Sequence, residues 1–143
     1  MSYVSLVIYG TENDYAAYFQ KKYCAKPLPT FDGIDVVFTH RDFNHAFYES
    51  SSGQKKNIFS KTRARRIDWI EIALKDPKAD LHVGWDSKRK RIDVTTRVAI
   101  VAKDYVVVIK LTKPGRGRFK TAYVAGVLTI SKIKSMPKWP TTE

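Results

Sequence analysis

The sequence predicts an α+β fold, with helices first and an antiparallel sheet second, and two patterns carry that prediction. In the first half, apolar residues recur at helical spacing. From Leu81 onward they come in short alternating or β-branched runs separated by turn residues. The chain has 143 residues and 43% hydrophobic content, which suits one domain built around one core. Helices followed by a run of strands pack most simply as a helical layer on one face of a sheet.

Residues 3–9 read as a short apolar strand closed by Gly10. Thr11 then caps a helix over about 12–24, whose first turn carries Glu12 and Asp14, and Pro27 and Pro29 end it. Ile34 to Phe38 reads as a short extended segment. A second helix over 40–49 follows, with Phe43, Ala46 and Phe47 on its buried side and His45 off that stripe. Ser50 to Gln54 reads as a flexible connector. Ser60 then caps a third helix over 61–75, with Ile67, Ile70 and Leu74 as its buried stripe and Asp76-Pro77 as its stop. Residues 81–85, 91–102, 105–111 and 118–125 are four strands with connections short enough for an antiparallel meander. On the last strand, strict alternation places Phe119, Thr121 and Tyr123 on one face and Lys120, Ala122 and Val124 on the other. Residues 131–143 read as a loosely held basic tail.

Charge narrows the class of partner. Lys and Arg number 26 against 14 Asp and Glu, a net +12 with a pI near 9.8, which favours a polyanion such as nucleic acid over a neutral metabolite. The excess is one-sided. Residues 1–52 hold four basic and six acidic side chains (−2), and residues 53–143 hold 22 and eight (+14). Lys55, Lys56, Lys61, Arg63, Arg65 and Arg66 form one cluster without an intervening acid, and Lys110, Lys113, Arg116, Arg118 and Lys120 form another. A third, Lys88 to Arg91, falls at an expected hairpin turn and reads as a solvated turn.

No stretch has the roughly 18–20 continuous apolar residues of a membrane span, and no membrane partner is expected. Cys24 is the single cysteine, which excludes an intrachain disulfide, and the Cys and His spacing fits no structural zinc site. The first residues have neither a basic nor a long apolar signal region, so the expectation is a cytoplasmic protein.

The side chains available suit phosphodiester chemistry. Cleaving RNA without a metal requires a base for the 2′-hydroxyl, an acid for the leaving oxygen and a cation beside the phosphate. His45 is the first candidate for proton transfer, because histidine gives and takes protons near neutral pH; His40 and His82 read as a helix-capping and an exposed strand residue. Arg63 and Arg66, three apart on one helix, can act together on a phosphate. Asp68 with Glu71, and Asp76 with Asp80, read as ion-pair partners of the surrounding lysines and arginines rather than as a two-metal site. No metal and no other cofactor is expected. Lys61, Arg65, Lys110, Arg116, Arg118 and Lys120 are candidate phosphate contacts, and Phe119, Tyr123 and Trp85 are candidate stacking platforms for bases.

Several segments in order carry a family resemblance: Phe43-Asn44-His45-Ala46-Phe47, Phe59 to Ile67, Asp76-Pro77, Val83-Gly84-Trp85-Asp86, Tyr105 to Lys110, and Lys120-Thr121-Ala122-Tyr123-Val124. The arrangement resembles the phage-associated branch of the barnase/EndoU/colicin/RelE-like nuclease superfamily over about residues 31–126. The resemblance implies helices packed on a four-stranded antiparallel sheet and a metal-independent endoribonuclease, deployed as a toxin or effector of a phage or mobile element. It implies His45, Arg66 with Arg63 as its neighbour, Thr121 and Tyr123 as the catalytic set. Two arginines compete for one role. It divides the chain into an N-terminal extension (1–30), a nuclease-like domain (31–130) and the basic tail (131–143). The implied partners are RNA and an acidic antitoxin or immunity protein, and the sequence specifies no oligomeric state. A non-catalytic RNA- or DNA-binding protein of a mobile element would use the same basic face, and so would a structural or assembly protein of such an element.

Overall fold

A computed structural model describes residues 6–50, 56–86 and 89–138. Its fold is mixed α+β, with helices on both sides of an open sheet. The first helix, α1 (Glu12–Tyr23), begins where Thr11 Oγ1 accepts the Asp14 N–H at 3.3 Å, with acids in its first turn and Lys21 and Lys22 in its last. Tyr15, Phe19 and Tyr23 recur every four residues along α1 and are fully buried in the main core, so this segment supplies part of the core itself. The strand expected at 3–9 is absent over the described residues 6–9. Their backbone is satisfied elsewhere: the Val7 N–H donates to the Arg65 carbonyl at 2.8 Å, and the Tyr15 hydroxyl binds both the Val7 carbonyl and the Tyr9 N–H.

Two short strands follow, β1 (Leu28–Pro29) and β2 (Asp35–Val37), joined through a turn in which Gly33 takes φ +89°. Helix α2 (His40–Phe47) starts at Thr39, whose N–H donates to Asp42 Oδ2 at 2.8 Å, and it buries Phe43, Ala46 and Phe47 as the spacing predicts. It stops two residues short of the expected end, because Tyr48 turns extended and opens strand β3 (Tyr48–Ser50), which pairs with β4 (Lys56–Phe59). The two paired strands flank the expected connector, of which residues 51–54 lie outside the described residues.

The predicted 61–75 helix is two helices, α3 (Lys61–Arg65) and α4 (Trp69–Leu74). Ser60 caps the first as expected, with its Oγ accepting the Arg63 N–H at 3.2 Å. The break has a specific cause. In a continuous helix the Glu71 N–H would bond the Ile67 carbonyl, but the Tyr23 hydroxyl stands between them, donating to Ile67 O at 2.6 Å and accepting from Glu71 N at 3.2 Å. Ile67, Ile70 and Leu74 are nevertheless all fully buried, so the stripe survives the interruption.

Strands β5 (Asp80–Asp86), β6 (Arg91–Ala102), β7 (Tyr105–Lys113) and β8 (Arg116–Val124) form the expected antiparallel meander. The sheet has six strands rather than four. β2 adds in parallel to β8 at Asp35–Val37 against Arg116–Arg118, and β1 lies outside it, giving the order β1-β2-β8-β7-β6-β5. α1, α2 and α4 supply the buried side chains of one face, where an aromatic set of Tyr15, Phe19, Tyr23, Phe47, Tyr105 and Phe119 is fully buried. The tail read as starting at 131 instead begins inside a further helix, α5 (Val127–Lys134). Ile130 and Ile133 of α5 pack with Val101, Val106, Tyr123 and Ala125 as a separate small cluster. After α5 the chain runs along β5, with the Val83 N–H donating to the Pro137 carbonyl at 3.0 Å.

Candidate active site

One extra residue in β8 determines which side chains reach each face. Thr121 pairs with Val108 and Phe119 with the next residue, Ile109, so Lys120 is bulged out of register. A one-residue slip reverses the facing of everything beyond it. Phe119 therefore lies in the main core, 1% exposed, with its ring 4.8 Å from Phe38, whereas Thr121 and Tyr123 point to the face that carries α5. The expectation that these three share a face is overturned, and Phe119 is not available to stack a base.

Beyond Arg118, β8 has no strand partner on its β2 side among the described residues, and α2 and α3 stand along that edge. Arg63 of α3 lies there. Its Nη1 donates to the Ala46 carbonyl at 3.4 Å, and its Cζ lies 5.8 Å from the Tyr123 ring centre. His45, the residue before Ala46, is exposed in the last turn of α2. Three elements thus bring a guanidinium, a phenol and the helix turn bearing an imidazole to one place. Burial pushes the Tyr123 phenol above the ordinary tyrosine range, and the Arg63 charge pulls the other way. The hydroxyls of Thr121 and Tyr123 make no hydrogen bond to any described residue.

Arg66 is placed differently from Arg63. It caps the end of α3, its Cζ stands 5.0 Å from the Trp69 ring centre, and its Nη1 donates to the Thr62 carbonyl at 2.7 Å. Its Nε is buried without a hydrogen-bond partner. Both arginines line one cavity of about 220 Å³ together with Ser60, Thr62, Tyr105 and Val124. Two guanidiniums and three hydroxyl-bearing side chains, without a carboxylate in the lining, make a place for an oxyanion. The two arginines therefore share a cavity, but only Arg63 also reaches Tyr123.

The basic strip lies close by. Lys110 and Arg118 are direct cross-strand neighbours on β7 and β8, both exposed, and neither pairs with a carboxylate among the described residues. Like charges placed opposite one another cost stability, so this pairing is one that a polyanion would relieve. Lys113 and Arg116 repeat it at the turn, and Lys120 is exposed at the bulge. Lys61 and Arg65 are exposed on α3. The acids are engaged elsewhere: Lys22 bridges Asp68 and Glu71, Lys75 holds Glu71, and Lys134 reaches Asp80.

The other histidines separate clearly. His82, read as exposed, is 3% exposed, with Nδ1 3.0 Å from the Met136 carbonyl beneath the C-terminal segment. His40 is exposed at the start of α2, where Thr39 is the cap. The Trp85 side chain lies outside the described residues. Sequence reasoning missed Lys132 and Met136, which α5 and its exit bring over Thr121 and Tyr123; the signal was Gly126 followed by isoleucines at 130 and 133, a helical spacing. Compared with protein-family models, curated proteins and solved structures, the chain matches none.

Proposed function

We propose that the protein is a metal-independent endoribonuclease, acting as a toxin or effector of a phage or mobile element. The observation that carries this reading is the placement of Arg63, over the Tyr123 ring and on the Ala46 carbonyl beside His45. In the reaction, His45 takes the proton of the 2′-hydroxyl as O2′ bonds to phosphorus. Arg63 faces the negative charge that grows on the phosphate, and Thr121 donates a hydrogen bond to a non-bridging oxygen. As the P–O5′ bond breaks, the leaving oxygen takes the phenolic proton of Tyr123; burial holds that proton more tightly than usual, and the Arg63 charge offsets part of the hold. The products are a 2′,3′-cyclic phosphate and a 5′-hydroxyl, and solvent takes the proton from His45 and restores that of Tyr123. Arg66, in the cavity it shares with Arg63, holds a neighbouring phosphate. Helices preceding a four-strand antiparallel meander support a barnase/RelE-like arrangement, to which β1 and β2 are additions.

The test is incubation of the pure protein with labelled total RNA in EDTA, with analysis of the new termini. Cyclic-phosphate ends are expected, and His45→Ala should lower cleavage about 10²-fold or more while leaving the fold intact. Activity lost in EDTA and restored by magnesium would overturn the mechanism. Tight binding without cleavage would favour the second reading, a non-catalytic RNA- or DNA-binding protein, which Lys110 and Arg118, without a carboxylate partner among the described residues, support. A toxin of this charge is best blocked by an acidic partner covering Arg66, Arg118 and Tyr123. Expression alone should then arrest growth, and the inactive His45/Arg66 double variant should not.

A further inference from the structure

A second cavity, of about 280 Å³, lies between the sheet and α5, and it exists because α5 packs thinly on that face. No residue of α5 is buried, and Val127 and Leu128 are 83% and 86% exposed. The cluster beneath the helix buries Val101, Val106 and Ala125 but leaves Val108, Tyr123, Ile130 and Ile133 half covered. The space that remains is walled by Val83, Val106 and Val108 of the sheet, Ile133 of α5 and Met136 of the segment that leaves it. An apolar void forfeits contacts along its walls, and apolar cavities of about 150 Å³ take up benzene from water. The polar groups at this cavity are all donors of hydrogen bonds: Thr121 and Tyr123 add hydroxyls and Lys132 an ammonium, and no carboxylate lines it. The Lys132 side chain makes no hydrogen bond or ion pair to any described residue, unlike Lys134, which reaches Asp80 at 3.8 Å. Lys120 lines the cavity too but is already partnered.

We infer that this cavity is a binding site for a small amphipathic anion, a straight-chain carboxylate whose tail lies between the sheet and α5 and whose head meets Lys132. The inference goes beyond the ribonuclease reading and does not depend on it. Size, shape and charge each narrow the class of ligand. Ligand sites commonly begin at roughly 300 Å³, so this space suits a single short chain rather than a larger metabolite. The walls are chiefly aliphatic, and Met136, unbranched and pliable, adjusts to a chain that has no fixed shape. Lys132 is exposed, so a carboxylate that pairs with it keeps most of its water and avoids the desolvation cost of a buried ion pair. A neutral chain leaves that ammonium unused, and a cationic one is repelled by it.

The experiment is a calorimetric titration of the parent protein with butanoate, hexanoate, octanoate, octanol and octylammonium, each below the concentration at which it forms micelles, with amide chemical shifts locating the ligand. Among the carboxylates, affinity is expected to rise about fourfold for each methylene buried, with shifts at Val106, Val108, Thr121 and Ile133. Octanoate should bind more tightly than octylammonium. Lys132→Ala, at an exposed side chain without a described partner, should weaken octanoate about threefold and leave octanol unchanged. Affinity that is indifferent to chain length would overturn the inference, as would equal binding of octanoate and octylammonium, or an octanoate affinity that Lys132→Ala does not change. Shifts confined to the exposed Val127 and Leu128 would mark adventitious contact and overturn it as well. None of these readouts uses RNA, so the two readings fail separately: octanoate in the cavity without RNA cleavage would sink the nuclease and leave this site, and cleavage with a silent cavity would do the reverse.

Discussion

Phe119 and Tyr123 stand four positions apart on one strand and face opposite ways because Lys120 adds one residue to the register between them. A phenylalanine packed at 4.8 Å on Phe38 and within 6.3 Å of Phe19 is part of the core, so Phe119→Ala should destabilise the fold by about 3–5 kcal/mol in a urea titration. A variant that kept its stability but lost RNA affinity would restore Phe119 to the binding surface. Tyr123→Phe keeps the ring under Arg63 and removes only the phenolic proton. Its cleavage of RNA should fall about 10²-fold, whereas cleavage of a nucleotide ester with an activated phenolic leaving group, which needs no proton, should remain near the parent's. Equal losses on both substrates would remove Tyr123 from the role of acid. The sequence offered His45, Arg66 with Arg63 as its neighbour, Thr121 and Tyr123, as residue types suited to the chemistry and as the set that the resemblance implies. It misplaced Phe119 because period-two alternation has no symbol for a bulge.

At the scale of elements, most boundaries were legible because caps and breakers are local: Thr11 and Ser60 cap as their residue type predicts, and the four-strand meander follows from its turns. Tertiary contacts decided the rest. The break between α3 and α4 comes from Tyr23, 44 positions before the Ile67 carbonyl it binds. That break ends α3 at Arg65 and leaves Arg66 turned toward Trp69, so the two arginines diverge where a continuous helix would have aligned them. β1 and β2 were missed as sheet members because strands of two and three residues carry no periodic signal of their own. Tyr23→Phe removes the donor from Ile67 and the acceptor from Glu71, both inside the fold, and should cost about 1–3 kcal/mol in urea. If the Glu71 N–H then closes directly onto Ile67, α3 turns and Arg63 leaves Tyr123, so cleavage should fall under conditions where the variant is fully folded. An unchanged midpoint together with unchanged activity would show that the inserted hydroxyl organises neither helix.

Across the whole molecule, the phenols set the alkaline limit and the cations set the response to salt. Tyr18, Tyr23, Tyr48 and Tyr123 all hold their protons more tightly in the fold than the ordinary value of 10.0, with burial the leading cause for all but Tyr48, where the Glu12 carboxylate leads. Below that value both folded and unfolded chains keep these protons, and stability is unaffected. Above it the unfolded chain ionises first, so stability is lost as pH rises toward the folded values. Urea midpoints should be level through neutrality and fall above about pH 10, with a smaller fall in Tyr23→Phe. A level profile to higher pH would mean that the hydroxyls are not confined as described.

Salt separates the arginine that acts on the reacting phosphate from the cations that only gather RNA. Lys110 and Arg118 face solvent without a described carboxylate partner, so their attraction to RNA is long-ranged and is weakened as counterions compete. Arg63 is partly buried against Ala46 and Tyr123, where solvent screening is weaker and the guanidinium meets the charge that develops during reaction. Arg63→Ala should therefore lower kcat by an amount equivalent to about 2–4 kcal/mol, and that loss should persist as salt is raised. The Lys110→Ala/Arg118→Ala pair should raise KM at low salt, leave kcat nearly unchanged, and converge on the parent as ionic strength increases. The comparison is made with all three proteins over one salt series on one RNA, at saturating and limiting substrate. An Arg63 defect that vanished in high salt would return that residue to the attracting surface, and the catalytic centre proposed at the β8 edge would lose its cation.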